Sequence, residues 1–411
     1  PPVPDPTAGS SVAAVVRPFR GVVSLAVAFV VGLLAWNLAR DAVRVAYFRP
    51  APVGDELAFW WTSAVQLRLG LGTYLCCFGS AGYSPGYPLL ANLLLGWLPE
   101  PAFLPALRAL PFLLGMTVVA ILFRGAVSPR RFLAPVTGVL AVVAVLLFQK
   151  FDWVHQLIFE LWYGETMAIV VTALLLITLD RVRSSGGRSG SGNAAVPLTH
   201  LLVAAGIGAF ASISKPPVSM ILVPAVLPAY AITALLCRRP GESIRPLVAV
   251  VLATAGGALA TQLLWSGILA ANRVSSYYAV TLGQLLQLHP EGSFSQLVPY
   301  VVDQYQAVWV TFLLVSLLAI VADPRRFLPP LLVAVGLVAS VFALYLGPWH
   351  DVEFESGGRY ILHGAYAWTI FALGALAPRI GDSLDGSVRW AESRLGAIAA
   401  ARRGTGPVTA A

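Results

Sequence analysis

Residues 87–98 read YPLLANLLLGWL, an uncharged and mostly apolar run bounded by Gly86 and Pro99. As a helix rising 1.5 Å per residue it covers about 18 Å, well short of the ~30 Å hydrocarbon core of a bilayer. The run is therefore predicted to lie at a membrane interface rather than to cross. That reading fixes the sidedness of everything else. Ten longer apolar runs lie on either side of it, near 21–43, 103–123, 132–149, 165–180, 199–214, 217–237, 246–270, 306–322, 327–347 and 360–378. With 87–98 outside and the N-terminus inside, six arginine clusters fall on one side. The clusters are Arg17 and Arg20; Arg124, Arg130 and Arg131; Arg181, Arg183 and Arg188; Arg238, Arg239 and Arg245; Arg325 and Arg326; and Arg379, Arg389, Arg394, Arg402 and Arg403. The positive-inside rule asks for this pattern. Counting 87–98 as a further span would send the next three clusters to the opposite face.

Composition points the same way. Apolar residues make up 58% of the 411 positions and charged ones only 11%, with a mean hydropathy of +0.78. A soluble domain carries about 25% charged residues, so these are too few to cover a soluble surface. The net charge of +8 is dispersed in short clusters between apolar runs, a topology signal and not a nucleic-acid patch. Lys150 and Lys215 are the only lysines among 27 basic residues. Cys76 and Cys77 are adjacent and Cys237 adjoins a basic loop, which gives no disulfide framework. No small-residue cleavage site follows the first apolar run, which is read as a retained helix.

The expected architecture is an all-α integral membrane domain over residues 1–378, with about ten transmembrane helices and both termini cytoplasmic. External loops, some carrying interfacial helices, fall at 44–102, 150–164, 271–305 and 348–359. Residues 379–411 form a cytoplasmic tail, whose segment 379–403 reads as an Arg-rich amphipathic helix on the anionic inner leaflet. SSGGRSGSGN (184–193) is a flexible linker, and no repeat of 20–50 residues is visible.

More than half of the 19 acidic residues fall to the external side, and four constellations there could carry chemistry. Asp55 and Glu56 in VGDELAFWW stand before an aromatic cluster that would anchor at headgroup height; helix capping explains them as well. Lys215 in SISKPPVSMILVP sits between two apolar runs, suited to a phosphate as a point charge, or snorkelling to the interface. In PWHDVEFESGGRY, Gly357 and Gly358 permit close approach of a ligand and Arg359 offers a fork to phosphate. His350 and Asp351 could form a relay, but two ligands do not make a metal site. In FELWYGETMA, Glu165 opens a span, with Glu160 and Asp152 earlier in the same loop; Glu165 could orient a hydroxyl or cap its helix.

Taken in order, DELAFWW (55–61), YSPGYPLL (83–90), LRALPFLLG (107–115), WYGETMA (162–168), SISKPPVSMILVP (212–224) and GGRYILHGAYAW (357–368) resemble the GT-C superfamily of membrane glycosyltransferases. The likeness covers about residues 20–378 and is nearest the branch of the lipid A aminoarabinose transferases and protein O-mannosyltransferases. It implies the GT-C fold and inverting transfer of a sugar from a polyprenyl-phosphate donor to a lipid, glycan or protein acceptor. Transfer would occur on the periplasmic or extracellular face of the plasma membrane, without a nucleotide, cofactor or metal. By the resemblance, Asp55 takes the place of the catalytic acid of the first loop with Glu56 beside it, and Glu165 that of the second acidic residue. Lys215 and Arg359 match the residues that hold the donor phosphate. Tyr83, Tyr87, His350, Asp351, Tyr360 and His363 are candidate substrate contacts. The chain departs from the family in having Lys215-Pro216 for Lys-Gly, and His363-Gly364 where a second proline is usual. Arg68 is the only basic residue in the middle of the first loop, where aminoarabinose transferases carry a lysine.

Two other classes share the composition. A transporter or flippase for a lipid-linked substrate needs polar residues at mid-membrane, whereas here they gather at one face. A polysaccharide polymerase or ligase usually carries a large external loop rich in Arg and His.

Overall fold

The computed structural model describes residues 62–70, 86–107, 110, 163–186, 196–214, 226–238, 244–271, 287–289, 293–347 and 362–404. The chain is all-α, and no strand occurs among the described residues. In order the helices are α1 (Thr62–Arg68), α2 (Gly86–Leu95), α3 (Tyr163–Gly186), α4 (Leu198–Ser214), α5 (Leu227–Leu236), α6 (Arg245–Ala271), α7 (Ser293–Gln304), α8 (Gln306–Ala322), α9 (Pro324–Leu346) and α10 (Leu362–Gly404). A further helical stretch covers 100–107. The chain divides into two compact units, residues 1–41, 121–144 and 374–411, and residues 42–120 and 145–373. In the first, residues 374–404 are described, all helical. The packing below belongs to the second.

Four of the apolar runs became helices with close boundaries, whereas the helix that opens the run at 360–378 continues to Gly404. The run at 306–322 is α8, 246–270 is α6, 199–214 is α4, and 327–347 is α9. Those at 21–43 and 132–149 lie outside the described residues. α6 and α9 are long and apolar enough to cross a membrane, while α4, α5 and Val308–Ala322 are apolar but shorter. α3 has the length but carries Glu165, Asp180, Arg181 and Arg183. The described helices thus supply two of the ten expected spans by length and composition. α2 is ten residues long, about 15 Å, in keeping with a run too short to cross.

α9 begins earlier than its apolar run because its start is capped. Asp323 accepts a hydrogen bond from the Arg326 amide at 3.2 Å, and Pro324 occupies the first turn, where its missing N–H costs nothing. Pro329 and Pro330 follow inside the helix. Pro329 has no N–H for the carbonyl of Arg325 four residues back. Arg183 supplies the missing donor, with Nη1 at 2.7 Å from the Arg325 oxygen, while its Nη2 reaches the carbonyl of Cys237 at the C-cap of α5, 3.0 Å away. One guanidinium therefore satisfies two helix-end carbonyls.

α4 and α6 run in the same direction and touch backbone to backbone. A Cβ on Gly208 would collide with the Thr254 carbonyl, and one on Gly257 with the Ala205 carbonyl. Ser212 Oγ donates to Gln262 Oε1 at 3.0 Å further along. Such close approach through small residues is the helix pairing that works without a hydrophobic driving force. α10 packs against α9 through Gly364, which abuts the Ala334 carbonyl, and through Trp368 and Phe371, both edge-on to Phe327. The buried Trp368 Nε1–H donates to Ser316 Oγ of α8 at 2.8 Å, and Ser316 donates to the Phe312 carbonyl at 2.6 Å.

α6 exposes Leu252, Leu259, Leu263 (65%) and Leu264, and α8 exposes Leu313, Leu314, Leu317 (62%), Leu318 and Val321.

Candidate functional site

Helix directions sort the second unit into two ends. Arg183 near the end of α3, Cys237 after α5, and Arg325 and Arg326 at the start of α9 meet at one of them. There Arg326 grips Asp180 of α3, Nε to Oδ1 at 2.9 Å and Nη2 to Oδ2 at 2.7 Å. Two of the arginine clusters assigned to one side by charge alone thus contribute to a single cluster of helix ends, and Cys237, next to a third, joins them.

The opposite end gathers the other termini. α8 and α9 are joined through Asp323 alone, so they run antiparallel and bring Tyr305 to the end where α9 finishes. There the Leu346 carbonyl accepts from the His289 amide at 2.6 Å. α10 runs antiparallel to α9, Gly364 lying by Ala334 and Phe371 by Phe327, so it heads toward the arginine end and its start, with His363 in the first turn, lies opposite the middle of α9. Val226 at the start of α5 lies by Gly336 and Cys237 at its other end by Arg183, so α5 runs toward the arginine end. α6 leaves that end eight residues later and α4 runs alongside it, away from the arginines as α6 does, whereas α3 ends among them. Tyr163 and Ser214 therefore belong to this end too. At the start of α2, Gly86 presses on the last turn of α4, its missing Cβ being 2.5 Å from the Ile213 carbonyl oxygen and 2.8 Å from Ser214 Cα. No other residue type fits there.

Of the sequence-derived candidates, Glu165 lies in the first turn of α3 and Tyr87 in the first turn of α2; their backbones, but not their side chains, are among the described residues. His363 is buried near the start of α10. The first two come to the same end, and His363 lies opposite the middle of α9. Asp55, Glu56, Tyr83, Asp152, Glu160, Lys215, His350, Asp351, Arg359 and Tyr360 lie outside the described residues. Lys215 directly follows Ser214, and Arg359 precedes α10 by three positions.

Arg68, at the end of α1, has a different setting. Its Nη2 donates to the Leu98 carbonyl at 2.7 Å and its guanidinium lies 4.3 Å over the Phe103 ring. Asn92 Nδ2 ties α2 to α1 through the Ala64 carbonyl at 2.8 Å and also bonds the Pro88 carbonyl at 3.0 Å. Around them Ala64, Ala91, Leu95, Phe103, Leu107 and Leu110 form a small core that Phe210 of α4 joins. These contacts give Arg68 a structural task, clamping α1 to the helical stretch at 100–107.

Two buried hydroxyls were not singled out from the sequence. Ser214 Oγ and Tyr366 Oη are each buried without a hydrogen-bond partner among the described residues. The signal was present for both: Ser214 adjoins Lys215, and Tyr366 stands three residues after His363, on the same helical face.

Comparison with protein-family models, with curated proteins and with solved structures found no significant match to this chain.

Proposed function

We propose that the chain is a polytopic membrane protein that transfers a sugar from a polyprenyl-phosphate donor to an acceptor hydroxyl at the external face, with inversion at the anomeric carbon. The observation that carries this reading is the segregation of the helix ends. Arginine-bearing termini meet at one end, whereas the helix end next to Lys215 and the one that carries Glu165 lie away from it, and the helix that follows Arg359 starts opposite the middle of α9. The exposed leucine faces of α6 and α8 support a lipid surround. The ten-span topology, the GT-C fold and the location in a plasma membrane are parts of the same proposal.

In this reading the polyprenyl tail lies in the bilayer, and the donor phosphate binds Lys215 and Arg359. Asp55 takes the proton from the acceptor hydroxyl as that oxygen bonds to the anomeric carbon. The bond from that carbon to the phosphate oxygen breaks, and polyprenyl phosphate leaves with its charge held by the two cations. Glu165 orients the attacking hydroxyl, and Glu56 supports Asp55. Residues 271–305, which contain α7, close over donor or acceptor.

The test is to incubate purified protein with a panel of polyprenyl-phosphate sugars and lipid or glycan acceptors, and to measure released polyprenyl phosphate. Release dependent on acceptor is expected. Absence of release across the panel, with passage of intact lipid-linked sugar through reconstituted vesicles, would replace this reading with the flippase.

A further inference from the structure

We infer that the Tyr366 hydroxyl, backed by His363, hydrogen-bonds a sugar hydroxyl of the donor and so helps to set which sugar is transferred. The inference rests on the reading above and adds a contact for the carbohydrate to a site otherwise defined by the phosphate. Tyr366 is almost wholly buried (1% exposed), yet its Oη has no hydrogen-bond partner among the described residues. A buried hydroxyl without a partner destabilises the fold, and native proteins keep few of them. The neighbouring Trp368 shows the ordinary solution, since its N–H is taken by Ser316. Nothing comparable is provided for Tyr366.

Its place in the fold points to a ligand. Tyr366 lies within two turns of the start of α10, opposite the middle of α9, and seven residues after Arg359. His363, also 1% exposed, precedes it by three positions and shares its helical face. A phenol and a neutral imidazole each offer a donor and an acceptor. They carry no fixed cation, and a phosphate in an apolar surround needs one. An uncharged hydroxyl that both gives and takes hydrogen bonds suits the pair better, and a sugar presents several. Tyr305 lies close enough to interact electrostatically with Tyr366. It marks the break between α7 and α8. Movement of α7 about Tyr305 would uncover the hydroxyl as the donor enters.

Tyr366→Phe removes a single oxygen and keeps the ring, so the fold survives. The ligand-free protein should melt a few degrees higher, because an unsatisfied buried group is gone. Affinity for the polyprenyl-phosphate sugar that wild type transfers should fall about five- to tenfold. Affinity for bare polyprenyl phosphate, which has no sugar, should stay within twofold. A lower melting temperature for the variant would show the hydroxyl to be paired inside the protein and would overturn the inference. Equal loss for both ligands would assign Tyr366 to the phosphate, and no loss for either would remove it from the site; both outcomes overturn the inference while leaving the glycosyltransferase reading intact. Wild type that binds neither ligand would instead sink that reading, and the sugar contact with it.

Discussion

Arg326 holds Asp180 in a two-pronged grip, at 2.9 Å and 2.7 Å, across 146 positions of sequence. The carboxylate side chain is 11% exposed and the guanidinium 31%, so water screens the pair only in part. Arg326→Met leaves a nearly buried carboxylate alone and should lower stability by about 3 kcal/mol, the lower part of the range for broken buried pairs. Asp180→Leu should cost less, about 1–2 kcal/mol, because the stranded guanidinium still reaches water. The combined variant should recover most of the loss. Thermal unfolding in detergent reads all three, and strictly additive losses would mean that the two side chains do not act as a unit.

The backbone contact between α4 and α6 makes a contrast among glycines that look alike in the sequence. Gly208→Val and Gly257→Val each drive a side chain into a facing carbonyl and should destabilise by 3 kcal/mol or more, or prevent folding. Gly206 faces open space two residues away. Gly206→Ala should be neutral or stabilise by up to about 1 kcal/mol through helix propensity. Melting temperatures that failed to separate Gly206 from Gly208 would contradict the packing.

Ser316→Ala strands the Trp368 N–H, whose ring is fully buried. An unpaired buried donor costs about 1–3 kcal/mol. Adding Trp368→Phe removes the donor but opens a cavity, so the double variant should fall below Ser316→Ala by less than Trp368→Phe costs alone. A chemical-denaturation cycle over the four proteins measures that coupling.

For the proposed chemistry, Asp55→Asn should abolish transfer while expression and donor binding persist. Activity within about threefold of wild type, less than roughly 1 kcal/mol of barrier, would reduce Asp55 to a helix cap. Glu165→Gln should be milder, since an orienting group is partly replaceable. A loss equal to or larger than that of Asp55→Asn would exchange the two roles.

Lys215→Ala and Arg359→Ala should each weaken donor binding by about 1.5–3 kcal/mol, the scale of hydrogen bonds to charged groups, with little change in acceptor affinity. The double variant should lose less than the sum, because both charges serve one anion. Unchanged donor affinity in both single variants would leave Lys215 as a snorkelling lysine.

The helices were legible because their signal is local. A long uncharged run bounded by charge or proline suffices for α4, α6 and α8, whose ends lie within one residue of the expected ones. The start of α9 was missed by three residues because the cap lies in Asp323 and Pro324, outside the apolar run. The site was less legible. Glu165, Tyr87 and His363 drew notice through residue type and position; the helix directions bring the first two to one end and leave His363 opposite the middle of α9. Tyr366 was passed over because an aromatic in an apolar helix is ordinarily core. Its missing partner appears only after every neighbour is in place.

By itself, then, the sequence determined where the described helices form, since that depends on hydrophobicity and charge over a few neighbouring residues. Tertiary structure alone decided that Arg183 stands in for the proton Pro329 lacks, that Asp180 and Arg326 share one carboxylate–guanidinium grip, and that Gly208 and Gly257 cannot carry a side chain. Each of these depends on atoms brought within about 3 Å by residues 46 or more positions apart, a coincidence that no local pattern of residue types encodes.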